Sequence, residues 1–379
     1  MVNKRENEDW GDFGDHLMWA SILVGAIGAG FIYGHKRSEF PSSQLKGKTM
    51  VITGATSGIG RATAEKLALK GADLVLACRD VVQGACVCDE IQAATRNNSK
   101  CEALHIDFAN PNSIFSFSQA LGGRKVHCLV NNAGAMFAEK DKSVDVNGKP
   151  MDRSMVVNYL GPFLLTQFLK PNLEMAGLTE GTNSRIVNVG SRLEKSAKLE
   201  CSPSADDNLG WLTRSPEPYS TMQAYANSKL CLTSWTFEMA RKLGNENSPV
   251  NCNVVTPGMV NTNLSRFMPS WMGYVSWPLR KAALRSPEKG AETVVWAASA
   301  RELDNKSGEY YGDLQRIQAS DAAQDGKLAK DIFTATEETL NENNCYAAKR
   351  VGPSKTWRYK PSEERPLEAI LESVRRKGR

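Results

Sequence analysis

The sequence predicts an α/β protein, a doubly wound parallel sheet with one N-terminal transmembrane helix ahead of it. From Lys48 onward, short apolar runs of strand length alternate with longer helix-like stretches, and such alternation puts helices on both faces of a parallel sheet. The first run opens into a glycine-rich turn, Gly54-Ala-Thr-Ser-Gly58-Ile-Gly60. Ahead of the domain, Leu17 to Tyr33 carries no charge, at the short end of the roughly 17–25 residues a bilayer-spanning helix needs.

Trp19 and Tyr33 stand near the ends of that apolar segment, where amphipathic aromatics favour the membrane interface. A buried core helix or a cleaved signal peptide are the alternatives. A signal peptide starts basic, whereas Met1 to His16 sets Lys4 and Arg5 against Glu6, Glu8, Asp9, Asp12 and Asp15, which favours an uncleaved anchor. His35-Lys36-Arg37 follows, and the positive-inside rule then puts the next domain in the cytosol. Gly30 and Gly34 have the spacing that lets two membrane helices approach, a weak pointer to a homodimer. The expected organisation is an N-terminal tail (1–16), the anchor (17–34), a linker (35–47), the main domain (48–343) and a basic C-terminal tail (344–379). That tail ends in Arg375-Arg-Lys-Gly-Arg379 and is suited to solvent or to anionic lipid.

A length of 379 residues with 41% hydrophobic side chains is enough for a sizeable core. The formal charge of +5, with both signs interspersed, gives a nucleic-acid role no support. The nine cysteines are scattered, apart from Cys86-Val-Cys88, without the paired spacings of a zinc site, so no metal is expected. They read as reduced thiols, consistent with the cytosolic side.

Taken in order, Lys48 to Thr53 is a buried strand, and after Gly60 the apolar positions Ala62, Ala64, Leu67, Ala68 and Leu69 continue as a helix that stops at Gly71. Strand, glycine turn and helix are the setting of a dinucleotide-binding loop, because glycines admit a pyrophosphate and the helix start offers unpaired N–H groups. Asp73 to Cys78 is the second strand. Cys78 occupies the place where an acid would select NAD(H), and Arg79 next to it suits a 2′-phosphate, so NADP(H) is favoured over NAD(H). Arg61 is either a second positive charge for that phosphate or an ordinary exposed helix residue. A polar helix from about Val81 to Arg96 leads to a third strand, Ala103 to Asp107, whose aspartate is placed to bracket an adenine ring. Val126 to Val130 is the fourth strand and runs into Asn131-Asn132-Ala133-Gly134.

Tyr225-Ala-Asn-Ser-Lys229 reads as one helical turn, with phenol and ammonium on one face. A nearby cation favours the phenolate and brings proton transfer towards neutral pH; a packed tyrosine beside a solvated lysine is the plain alternative. Thr53-Gly54-x-x-x-Gly58-x-Gly60, Asn131 to Gly134 and Tyr225-x-x-x-Lys229 together, in this order, resemble the short-chain dehydrogenase/reductase superfamily and its Rossmann fold. Ala77-Cys-Arg-Asp80 with Gly84, and Ser228-Lys-Leu-Cys231, are most similar to its membrane-anchored retinol dehydrogenase branch and the oxidoreductase domain of the WW-containing proteins. The resemblance covers roughly Gln44 to Leu340.

The resemblance implies a catalytic quartet. Asn158, in a helix before Gly161, would help hold a relay water; Ser191, ending the strand from Arg185, would bond the substrate oxygen; Tyr225 would be the acid/base. Lys229 would bind the nicotinamide ribose, lower the Tyr225 pKa and, with Asn158, restore the proton through ribose hydroxyl and water. Cofactor contacts would come from Thr53, Gly54, Ser57, Gly58, Ile59, Gly60, Arg61, Arg79, Asp107, Asn132, Ala133, Gly134, Tyr225 and Lys229. The loop after the strand Val250 to Val255 would add Pro257, Gly258 and Thr262. Thr256 departs from the histidine this branch often has there. The stretch Arg192 to Met222 is longer than usual in the superfamily, and the related anchored branches also carry extended loops here.

Met259 to Arg285 is apolar, with Phe267, Met268, Trp271, Met272, Tyr274, Val275 and Trp277. Each taken singly fits a helix pair packed on the sheet; together, beside a membrane anchor, they suggest a lipophilic substrate. Ser286 is expected to open the last long helix, through Ala298, and Gly308 to Tyr311 to form the final strand. The sum is a membrane-anchored NADP(H)-dependent oxidoreductase interconverting an alcohol and a carbonyl on a retinoid-, steroid- or fatty-aldehyde-like substrate. The resemblance favours the endoplasmic reticulum, with a mitochondrial membrane as the alternative. The rival reading is a non-catalytic Rossmann-fold binding or assembly subunit of a membrane complex.

Overall fold

Strand β1 (Thr49–Thr53) is followed by helix α1 (Gly58–Leu69), β2 (Asp73–Cys78), α2 (Val81–Ala94) and β3 (Cys101–His105). This is the β-α-β-α-β alternation read from the sequence. In this computed structural model the described residues are 45–199, 210–260, 285–343 and 345–346. The expected tail 1–16 and anchor 17–34 lie outside them, as do most of the linker, residues 261–284 with Thr262, and the basic tail beyond Tyr346. Among the described residues no helix is long and apolar enough to cross a membrane.

The chain continues through α3 (Pro111–Leu121), β4 (Cys128–Asn131), a hairpin of β5 (Ser143–Val146) and β6 (Lys149–Asp152), and α4 (Gly161–Glu180). Then come β7 (Ser184–Val189), α5 (Thr221–Asn245), β8 (Val250–Thr256), α6 (Pro287–Ser299), β9 (Tyr310–Gly312), β10 (Gln315–Arg316) and α7 (Gly326–Glu342). Eight strands share one sheet in the order β10-β9-β8-β7-β4-β1-β2-β3. All neighbours run parallel except β9 and β10. Connection direction reverses between β1 and β4, and a ligand crevice opens at such a point beyond the C-terminal strand ends.

All six residues of β7 and all seven of β8 are buried, as expected of parallel strands covered on both faces. The alternation is visible in β1: Val51 joins the core with Phe163, Trp235 and Ile332, from α4, α5 and α7. Met50 and Ile52 join the opposite core with Leu67, Val87 and Val294, from α1, α2 and α6.

Three features depart from the sequence expectations. Ser286 does cap α6, its Oγ accepting from Lys289 N at 3.3 Å, but α6 is not the last long helix: α7 spans 17 residues and buries Ile332, Phe333, Thr336 and Leu340. Strand β3 ends at His105, so Asp107 stands in the following turn, where its Oδ1 accepts from Ala109 N at 3.0 Å. The final strand is β10, returned from β9 by a turn with Asp313 and Leu314 at φ +54° and +59°. Leu45 and Cys345 are buried, and Tyr346 packs on the core.

Candidate active site

At the β1–α1 turn the glycines answer to backbone conformation and to crowding. Gly54 and Gly58 have φ of +64° and +56°, a region that costs a residue bearing a Cβ. Gly60 is helical, but a Cβ there would stand 2.3 Å from Gly54 O and 2.4 Å from Asn132 Nδ2. Ser57 begins α1 without a side-chain capping bond, and the first turn holds no acid, so the helix start is open to an external anion. Thr53 Oγ1 accepts from Asn132 N (3.0 Å) and Ala133 N (2.9 Å). Asn132 Nδ2 donates to Thr53 O (2.9 Å) and Gly54 O (3.2 Å). The ends of β1 and β4 are thereby stitched into one cradle, and half-buried Ile59 packs below it. This combination fits a dinucleotide pyrophosphate.

At the end of β2 the Cys78 thiol is buried and donates to Asp80 O at 3.3 Å; burial pushes it up to about 11. Asp80 is turned away, capping α2 through Gln83 N at 2.9 Å, and Arg79 is exposed at the strand end. The guanidinium of Arg61 is held by Glu65 (2.8 Å) and Glu90.

The catalytic candidates converge at the ends of β4, β7 and α5. Ser220 caps α5, accepting from Gln223 N at 3.1 Å, and one turn on the helix buries Tyr225 and Lys229 together. Lys229 Nζ lies 5.6 Å from the Tyr225 ring centroid and donates to Val189 O at 2.8 Å. Burial pushes Tyr225 up to about 12, opposed by the neighbouring Ser191 hydroxyl, and pushes Lys229 down to about 8. In the protein alone burial dominates both groups, because desolvation penalises both charged forms. Gly134 leaves space beside Lys229 and Asn158: a Cβ there would sit 3.2 Å from Lys229 Nζ and 3.4 Å from Asn158 Oδ1.

Asn158 is fully buried in a π-helical turn, Val156–Leu160, a feature often found at functional sites. Its Oδ1 accepts from Ala135 N (2.8 Å), and its Nδ2 donates to Ala135 O (2.9 Å) and Ser228 Oγ (3.0 Å). Both amide hydrogens are thus spent joining the Asn131–Gly134 loop to α5. Pro257 is buried and Gly258 has φ +77°.

Asn131 was read only as part of the Asn131–Gly134 motif, and the other residues shaping this site were not singled out from the sequence. Asn131 Nδ2 donates to Asn188 Oδ1 (2.8 Å), and Asn188 Nδ2 to Thr236 Oγ1 (2.8 Å), a buried polar chain linking β4, β7 and α5. Glu194 is 1% exposed, and burial raises its carboxyl against the Ser320 hydrogen bonds. It accepts from Ser320 N at 3.0 Å and from Ser320 Oγ, while its own N–H donates to Ser191 O at 3.1 Å. The turn that carries Ser191 is therefore fastened to the segment before α7. No local spacing marks such residues; only the fold brings them together.

The chain matches the short chain dehydrogenase family over residues 48–202. It is 33% identical over 302 residues to Retinol dehydrogenase 12 of Bos taurus, covering 78% of this chain and 87% of that one. It is 35% identical over 297 residues to Polyprenol dehydrogenase of Mus musculus, covering 76% and 82%. Among solved structures, an uncharacterized protein from Mycobacterium Paratuberculosis superposes with a TM-score of 0.61 at 27% identity, covering 82% of this chain and 98% of that one. With its Rossmann-like parallel sheet and these relatives, the chain belongs to the short-chain dehydrogenase/reductase superfamily of oxidoreductases, on the side of the retinol dehydrogenases.

Proposed function

We propose that this protein is a membrane-anchored, NADP(H)-dependent oxidoreductase that interconverts an alcohol and a carbonyl on a lipophilic substrate. The observation that carries the reading is the convergence of Ser191, Tyr225, Lys229 and Asn158 beside the glycine cradle. Arg79, exposed next to Cys78, which stands where an acid would select NAD(H), supports NADP(H). Thr53, Gly54, Ser57, Gly58, Ile59, Gly60, Asn132, Ala133 and Gly134 would hold the dinucleotide, with Asp107 towards the adenine and Pro257, Gly258 and Thr262 over the nicotinamide. The names of the relatives, retinol and polyprenol dehydrogenases, support a lipophilic substrate here. Residues 17–34 would anchor the domain on the cytosolic face, the endoplasmic reticulum being favoured and Gly30/Gly34 offering a homodimer contact.

A bound nicotinamide supplies or accepts the hydride. Tyr225, pushed up to about 12, is a neutral phenol at pH 7, so it is ready to donate its proton to a carbonyl oxygen in the reductive direction. The Ser191 hydroxyl beside it bonds the same oxygen and orients it. Lys229, pushed down to about 8, is mostly a cation at pH 7 and steadies the phenolate as it forms. Gly134 and Asn158 keep the space around the ammonium open and the loop in register.

The test is a fluorescence titration of the detergent-solubilised full chain with NADPH and NADH in parallel, followed by turnover of long-chain aldehydes and retinal. Tighter NADPH binding with reduction of at least one of these is the expected result. Preference for NADH overturns the role given to Arg79; binding of neither by folded protein overturns the enzyme reading.

A further inference from the structure

Two arginines reach the site from different loops and meet on one carboxylate. Arg192 directly follows Ser191, and its Nη2 donates to Asp313 Oδ2 at 3.4 Å. Arg285 donates through Nη1 to Asp313 Oδ1. The Arg285 guanidinium also lies against Gly258, where an added Cβ would stand 3.2 Å from its Cζ. Its backbone N–H donates to Met259 O at 2.8 Å, so it belongs to the root of the loop after β8. Asp313 itself sits in the β9–β10 turn at φ +54°, a region that Asp and Asn tolerate better than most residues. Its side chain is 21% exposed, Arg285 31% and Arg192 52%. The cluster is therefore partly shielded and remains open to salt.

We propose that Asp313 is a positioning residue that ties the Ser191 turn to the Gly258 loop, so that cofactor binding and placement of the substrate oxygen are coupled through one carboxylate. The inference rests on the functional reading above. Asp313 touches no reacting atom. It holds Arg192, which is next in sequence to the serine, and Arg285, which backs the loop expected to lie over the nicotinamide. Ordering of either loop by its ligand then reduces the freedom of the other, and such coupling is reciprocal.

The experiment measures NADPH affinity, kcat and thermal midpoint for the full-length wild type, Asp313→Asn, Arg192→Gln and the double variant. Asparagine keeps the left-handed turn accessible and removes only the charge. Asp313→Asn is expected to weaken NADPH binding and to lower kcat, each by about fivefold, the low end of ordinary coupling. Arg192→Gln is expected to weaken NADPH binding as well, although Arg192 belongs to the serine turn. The double variant should be no worse than Asp313→Asn, because both changes break one unit. Raising the salt concentration should narrow the gap between wild type and variants.

A lower melting point with unchanged affinity and kcat would mean that Asp313 is merely structural and would overturn the proposal. So would independent, multiplying effects of the two substitutions. If Asp313→Asn fails to fold, Arg192→Gln decides alone: unchanged NADPH affinity overturns the proposal. A wild type that binds neither nicotinamide overturns the functional reading, and this inference with it.

Discussion

The two ends of the crevice are built by opposite means. At the β1–α1 turn the determinants are missing atoms: Gly54 and Gly60 leave space that a Cβ would fill, Gly58 takes a left-handed φ, and the helix start has no side-chain cap. At the head of α5 the determinants are buried polar atoms: Tyr225, Lys229, Asn158 and the Asn131–Asn188–Thr236 chain, each held by named partners. The first end is intolerant of added atoms and the second of removed ones. That difference gives each end its own failure mode. On the proposed reading, crowding would expel a ligand, whereas removing the Tyr225 hydroxyl would leave binding in place and stop the chemistry.

The largest expected effect is at the polar end. Tyr225→Phe removes one oxygen and should lower turnover by about 10²–10⁴-fold with cofactor affinity kept; parallel kinetics and titration check both. Because Tyr225 sits near 12 and Lys229 near 8, alcohol oxidation should rise with pH, whereas carbonyl reduction should hold at neutral pH and decline once Lys229 deprotonates.

Lys229→Met should also abolish turnover, yet raise stability at pH 7. The folded-state pKa of Lys229 is depressed from 10.5 to about 8. The neutral buried amine therefore contributes stability that is present above pH 10.5 and lost as pH falls through 8. The penalty that Met removes is roughly 3 kcal/mol below pH 8, less the cost of orphaning the Val189 carbonyl. Denaturant melts at pH 7 and pH 10.5 should show the advantage at the first and not at the second. A variant less stable at both would break the comparison.

Gly60→Ala probes the other end. With Gly54 O and Asn132 Nδ2 inside 2.5 Å of the new Cβ, it should cost about 1–3 kcal/mol of stability and most of the nucleotide affinity. An alanine variant that bound NADPH normally would show that this end is less crowded than its geometry implies. The smallest effect is expected at exposed Arg79: Arg79→Ala should weaken NADPH by roughly tenfold, the worth of one charged hydrogen bond, and leave NADH unchanged.

The crowded end was legible in the sequence and the polar end only in part. Buried parallel strands read as continuous apolar runs, and glycines between a strand and a helix state their purpose locally, so β1, α1 and β2 were placed closely. Tyr225 and Lys229 were found because they are four apart on one helix. Their titration was not, since a spacing carries no information about desolvation. Glu194 and Asp313 meet partners 126 and 121 residues away, and nothing near a lone acid in sequence says that it will be buried. Helix α7 was missed because threonines and alanines fill much of its buried face. The β5–β6 hairpin was overlooked although Asn147-Gly148, both at positive φ, is a strong turn signal.

Val260 and Arg285 pair side by side in a parallel bridge, and Arg285 N donates back to Met259 O at 2.8 Å. The two residues that flank 261–284 are thus joined by one bridge beyond the C-terminal end of β8, like a fixed socket for a cassette. With the socket pinned, the entropic cost of a longer insert grows only logarithmically, about 0.6 kcal/mol per doubling. Such a segment can be exchanged between relatives, or lengthened, without moving Tyr225 or the glycine cradle. On the proposed reading, the chemistry would stay with the socket and specificity would reside in what is plugged into it.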